Sequence, residues 1–138
     1  MPRAQVRVRA EFCAAFRLAM EGASDRENAE AFGVCFSPHF HGHNYLLEVA
    51  VSGDIDPRTG LVADYAVLDE LVDREIIREV DHRNLNLDVA WLQGVVPTSE
   101  NLAVAFWGRL EAGLPAGLRL DRIRLQESRD HEVVLEGV

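Results

Sequence analysis

The densest run of chemically capable side chains is Cys35-Phe36-Ser37-Pro38-His39-Phe40-His41-Gly42-His43-Asn44-Tyr45. Residues i and i+2 of a strand point to the same side, with Cα atoms roughly 6.5–7 Å apart. His41 and His43 stand at that spacing, so their imidazoles can converge on one metal ion, and Gly42 leaves room between them. Zinc suits imidazole donors, and a catalytic zinc site usually has three protein ligands and one open position. The plainer reading is a pair of surface histidines at a strand start. Cys35 is equally two-sided. Free cysteine is commonly a small, inert, buried side chain, but a nearby cation, metal or histidine turns it into a base or nucleophile. Asp81-His82 supplies a histidine whose companion carboxylate would stabilise the protonated ring, although nothing local brings it to Cys35. Glu127 falls on the parity of Ile123 and Leu125, where an unpaired carboxylate costs several kcal/mol. It either receives a guanidine-like edge through two parallel hydrogen bonds or turns to water at the strand end. Thr98 and Glu100 add polar groups whose ordinary use is to open a helix.

These residues need elements to hold them. Val6, Val8, Ala10, Phe12, Ala14, Phe16 and Leu18 share one parity against Gln5, Arg7, Arg9, Glu11 and Arg17, which predicts a long half-buried strand. Ser24 to Glu27 reads as a capping box opening a short helix that Gly33 ends. A second alternating run, His41 to Ser52, puts His41, His43, Tyr45, Leu47, Val49 and Val51 on one face and closes in the turn formers of residues 53–60. From Asp64, a plausible N-cap, Leu68, Leu71, Val72, Glu75, Ile76 and Glu79 recur at helical spacing. Residues 81–97 read as an Asn- and Asp-rich loop. Thr98 begins a second long helix, and Arg122–Glu127 and Val133–Leu135 read as strands. The order predicts an α+β domain over residues 1–138, with a four-stranded antiparallel sheet and two helices on one face. Such a sheet exposes two edges, which proteins cover or pair, so an oligomer is expected.

Composition narrows the function. The 138 residues carry 14 Lys+Arg against 23 Asp+Glu, a net charge of -9. That balance argues against a nucleic-acid or anionic-membrane partner, both of which call for clustered cations. No apolar run approaches the ~18–20 residues that span a bilayer. The alternating opening MPRAQVRVRAEF lacks the continuous apolar stretch of a secretory signal. Two cysteines are too few for a disulfide scaffold. The expectation is a cytoplasmic domain.

As a set, the motifs resemble the 6-pyruvoyltetrahydropterin synthase family, which includes the 6-carboxytetrahydropterin synthases. Phe12-Cys13-Ala14-Ala15-Phe16-Arg17-Leu18 stands where the family has Phe-Ser-Ala-x-His-Arg-Leu. Glu27-Asn28, Phe32-Gly33 and Cys35 are similar to its catalytic-cysteine loop, and His41-Gly42-His43 to its zinc pair. Gly60 to Tyr65, Asp81 to Leu85, Pro97 to Asn101 and Glu127-Ser128 follow in family order. The resemblance implies a tunnelling fold whose trimers close a β-barrel and stack into a homo-hexamer. It implies a lyase acting on 7,8-dihydroneopterin triphosphate with loss of triphosphate, as in tetrahydrobiopterin biosynthesis. Cys35 would be the general base or acid, with Asp81 and His82 as its relay. Glu127 would anchor the pterin beside Thr98 and Glu100, and His41 and His43 would hold Zn2+. The five residues between Cys35 and His41 look more like the pyruvoyl branch. The alternatives are a 6-carboxytetrahydropterin synthase of the deazapurine (queuosine precursor) pathway and a metal-poor paralogue that binds a pterin without the parent reaction.

The departure from this pattern that bears on the chemistry is at Phe16. The family's first zinc ligand is a histidine where this chain has Phe16, whose ring cannot donate to a metal. His39 could replace it only if Pro38 or Phe40 bends the chain back, because on a straight strand it stands ~13 Å from His43. Cys35, another subunit or the substrate are the other candidate donors.

Overall fold

The computed structural model describes residues 2–137. Its sheet is built from β1 (Arg3–Phe16), β2 (His41–Asp54), β3 (Arg83–Asn84), β4 (Arg119–Ser128) and β5 (His131–Glu136), in the order β3-β1-β2-β4-β5. β1, β2, β4 and β5 pair antiparallel, as their alternation predicts. The expectation of four wholly antiparallel strands is corrected by β3, which runs parallel to β1 at Ala14 and Ala15. It escapes a pattern search because backbone and Asn/Asp side chains, not apolar periodicity, hold it. Asp81 Oδ1 accepts from Cys13 N at 2.9 Å, and Leu85 N donates to Ala15 O at 2.8 Å. Asn86 accepts from Arg17 N and donates back to Arg17 O, so residues 81–86 lie along the end of β1.

The helices are α1 (Asp25–Phe32), α2 (Tyr65–Val72), α3 (Arg78–Val80) and α4 (Ser99–Gly113). Ser24 and Glu27 form the predicted capping box of α1, and Asp64 caps α2 by accepting from Ala66 N. The long helix expected from Asp64 is interrupted by a π-turn at Asp73–Ile77. Such wide turns leave carbonyls short of helical partners. Here Arg109 Nε, from α4, donates to Glu75 O at 2.7 Å, while its guanidinium stacks over Trp91 at 4.5 Å. No helix among the described residues is long and apolar enough to cross a membrane.

α2 and α4 cover one face of the sheet. Phe12, Tyr45, Leu47, Val49, Ile123 and Leu125 bury that face against Leu68, Ile76, Leu102, Phe106 and Leu110. Each fully buried large side chain contributes about 1.5–3 kcal/mol. Phe12 stacks on Tyr45 at 4.6 Å and meets Phe106 edge-on at 5.9 Å. On the helix-free face, Glu48 is 1% exposed and ion-paired with Arg7, Arg9, Arg122 and Arg124 at 2.8–3.8 Å.

Candidate active site

The parity that buries Phe12 and Tyr45 carries on to one end of the sheet, where it presents Phe16, His41, His43 and Glu127. In the β1–β2 register Phe16 lies opposite His41 and Ala14 opposite His43, so these side chains share a face. The two imidazole centroids are 5.5 Å apart with perpendicular rings. Gly42 is required on the other face, and not for the space it leaves between the histidines: a Cβ there would stand 2.6 Å from the Ala14 carbonyl oxygen.

Glu127 arrives through a bulge. The β4–β5 register passes from Gln126↔Glu132 to Ser128↔His131, so Glu127 is the extra residue on β4. Bulges re-aim side chains beside functional sites. Its Oε2 accepts from Ser99 Oγ at 2.9 Å, and Ser99 is only 6% exposed at the start of α4. Alternation alone had Glu127 on the apolar parity; the serine and the bulge explain how a carboxylate is held there. Thr98 is the N-cap of α4, accepting from Asn101 N at 3.1 Å, and Glu100 is exposed in its first turn. Ser99 and Tyr45 were missed as site residues. Both sit within the quoted motifs; alternation already puts Tyr45 on the face of His41 and His43, whereas only the tertiary hydrogen bond to Glu127 shows that Ser99 faces the site.

Electrostatics tie the group together. Burial lowers the pKa of His41, the neighbouring His43 lowers it further, and the charge of Glu127 partly offsets both. The Tyr45 hydroxyl is pushed well above its ordinary value by burial, then by the charges of Glu127 and Cys35. Cys35 lies just past the end of β1, where its carbonyl accepts from Leu18 N at 2.8 Å; it is half-buried at the end of a 3₁₀ turn, Gly33–Cys35. Among the described residues, the Tyr45 hydroxyl and His41 Nδ1 are buried without a hydrogen-bond partner. Buried polar atoms of that kind are rare and call for an explanation.

Asp81 and His82 are elsewhere within the chain. His82 adopts φ of 60°, its amide donates to Cys13 O at 2.7 Å, and its ring Nδ1 lies 3.0 Å from Asp81 Oδ1. The His82 ring is 84% exposed, at a cleft also lined by Glu11, Cys13, Asn44 and Tyr45. Among the described residues no hydrogen bond or ion pair joins this pair to Cys35. The Cys13 hydrogen bond holds the Asp81 carboxyl below its ordinary value against the opposing effect of burial, with further help from contact with His82.

The donor set does not fit a three-ligand zinc site. Phe16 is 3% exposed, with its ring centroid 4.5 Å from that of His41 and 5.6 Å from that of His43. It fills the place on β1 from which a third donor would meet the pair. His39 lies exposed in the turn before β2, where Phe40 takes a φ of 67°. Among the described residues no three His, Cys, Asp or Glu side chains gather closely enough to hold a metal ion.

Comparison with known proteins agrees with this architecture. The family model described as "6-pyruvoyl tetrahydropterin synthase" matches residues 5–137. The chain is 42% identical over 135 residues to the 6-pyruvoyl tetrahydrobiopterin synthase of Homo sapiens, covering 98% of this chain and 92% of that one. It is 43% identical over 126 residues to the enzyme of that name from Poecilia reticulata, covering 91% and 85%. The solved structure of Caenorhabditis elegans 6-pyruvoyl tetrahydropterin synthase superposes with a TM-score of 0.93 at 35% identity, covering 100% of this chain and 98% of that one. With the family pattern spanning both sheet and site, this chain belongs to the 6-pyruvoyl tetrahydropterin synthase family.

Proposed function

We propose that residues 1–138 act as one pterin-synthase-like domain, a carbon–oxygen lyase that releases triphosphate from 7,8-dihydroneopterin triphosphate. The observation that carries this reading is the placement of His41, His43, Tyr45 and Glu127 at one end of the sheet, with Cys35 hydrogen-bonded to Leu18 just past the end of β1. A pterin presents an amino group and adjacent ring N–H groups, which match the two acceptor oxygens of a carboxylate. Glu127, steadied by Ser99, is the group for that edge, with Thr98 and Glu100 at the nearby helix start.

The reaction breaks the carbon–oxygen bond to triphosphate, which leaves with the bonding electrons. The side-chain carbons are oxidised as the ring is reduced, so no external oxidant enters. Cys35 takes and returns protons at the side chain. Asp81 and His82 complete the relay from a neighbouring subunit, because within one chain they point to solvent at the β1 edge. Zinc is the ion the resemblance implies, and it would supply Lewis-acid help to the side-chain hydroxyls. The incomplete donor set leaves the steps here to protein groups alone.

A homo-hexamer of two barrel-forming trimers is part of the same reading. It is supported by two edges without a partner strand among the described residues: β1 before Cys13, and the outer side of β5.

The test is incubation of the chain with 7,8-dihydroneopterin triphosphate, with triphosphate and the pterin product identified by mass spectrometry. Triphosphate release with all side-chain carbons retained is the expected result, reduced about 10²–10⁴-fold in Cys35→Ala. A product that has lost side-chain carbons would favour the 6-carboxytetrahydropterin synthase alternative. The binding-only alternative is favoured by Phe16, and it predicts thermal stabilisation by a pterin with no turnover.

A further inference from the structure

Phe16 is the one residue of this corner whose chemistry opposes that of its neighbours. It is buried, it lies opposite His41 in the β1–β2 register, and its ring packs against both imidazoles. A side chain at this position can reach whatever His41 and His43 hold between them. A phenyl ring offers no lone pair, so an ion there would have two imidazoles in place of the three protein ligands usual for catalytic zinc. Loss of an outer hydrogen-bond partner of a zinc ligand already costs about 10–100-fold in metal affinity. Loss of a direct donor costs more.

His41 Nδ1 is the second observation. It is buried, has no hydrogen-bond partner among the described residues, and belongs to a ring that packs against Phe16, whose own ring stands 6.4 Å from that of Tyr45. An oxygen or N–H of a bound molecule placed there would satisfy an atom that is otherwise costly to bury.

We infer that Phe16 makes this corner a metal-free, aromatic-walled pocket in which His41 and His43 hydrogen-bond the ligand's side-chain oxygens directly. For the identity of that ligand, the inference rests on the pterin reading above. The phenyl ring closes one side against water, which strengthens the remaining polar contacts. Phe16 is thereby a specificity-determining residue: it sets which kind of contact, ion or hydrogen bond, meets the ligand.

Zinc per chain decides the matter, measured on untagged full-length protein after dialysis against a weak chelator. Native protein and Phe16→Leu are expected to hold far less than one zinc per chain. Phe16→His is expected to approach one equivalent and to lose it again in Phe16→His/His41→Ala. A native protein that retains about one zinc, lost in His41→Ala, overturns the inference; so does a Phe16→His protein that melts cooperatively yet stays as metal-poor as the native chain. If Phe16→His does not fold, zinc titration of the native protein by calorimetry decides instead. Affinity weaker than that of a typical structural or catalytic site supports the inference, and tight one-site binding abolished by His41→Ala overturns it.

Turnover is read separately, with and without added zinc. Triphosphate release that persists in chelator supports both readings. Release that appears only with zinc overturns the metal-free pocket and keeps the lyase. No release under either condition removes the lyase reading and leaves the zinc count to stand alone.

Discussion

Glu127 shows how a single carboxylate is made useful. It enters the site as the bulged residue of β4 and is fixed by one hydrogen bond from a nearly buried serine. In that setting a ligand's amino and ring N–H groups would meet a pre-aimed acceptor. Charge-assisted hydrogen bonds are worth about 1.5–3 kcal/mol each, so Glu127→Ala should weaken pterin binding about ten- to a hundredfold by calorimetry. Ser99→Ala should weaken it less, since it frees the carboxylate without removing it. Equal affinities for native protein and Glu127→Ala would remove Glu127 from the ligand's contacts. The type and position of Glu127 were legible from alternation, but its bulge and its serine were not. A bulge is a local change of register that no spacing of residue types announces.

At the scale of elements, the site depends on two backbones brought unusually close. A Cβ on Gly42 would stand 2.6 Å from Ala14 O, so Gly42→Ala must part β1 from β2 at the point where His41 and His43 are positioned. Overpacking of this kind costs about 1–3 kcal/mol. A lower melting temperature together with weaker pterin binding is the expected result, and unchanged values for both would contradict the packing argument. The segment at the end of β1 makes a second, pH-dependent prediction. Folding holds the Asp81 carboxyl below its ordinary value of 3.8, chiefly through the Cys13 amide, so folding favours its charged form. That contribution is complete above the ordinary value and is lost as pH falls through the lowered one. Asp81→Ala should therefore melt a few degrees below the native protein at neutral pH, the scale of one hydrogen bond. The gap should close as pH drops below about 3.8 in parallel melts. A gap that stays constant down to pH 2 would sink the assignment.

Across the whole molecule, the arrangement of functional groups is divided. His41, His43 and Glu127 share one end of the sheet, with Cys35 just past the end of β1, whereas Asp81 and His82 stand at the β1 edge with the imidazole in solvent. Under the proposed assembly, each centre draws its relay from the adjoining subunit. Sedimentation should then give about six times the 15.4 kDa chain mass. Two inactive variants, Cys35→Ala and His82→Ala, should regain part of the native rate when dissociated and reassembled together, because random pairing of equal amounts leaves about one centre in four intact. A monomeric chain, or mixtures that stay inactive, would count against a shared centre.

What the sequence determined by itself was the chemistry available and the faces that could carry it. Period-two alternation put His41, His43 and Tyr45 on one side of a strand, and cap residues opened α1, α2 and α4 at the expected places. These signals are local, since side-chain direction repeats along a strand and a helix start needs only its own capping oxygen. The tertiary structure alone decided what those residues meet. It set Phe16 against both imidazoles, carried Glu127 to Ser99 through a bulge, laid residues 81–86 along β1, and kept His82 apart from Cys35. Each of these depends on strand register or on hydrogen bonds between residues far apart in the chain, and the energy of such contacts exists only once the sheet has formed.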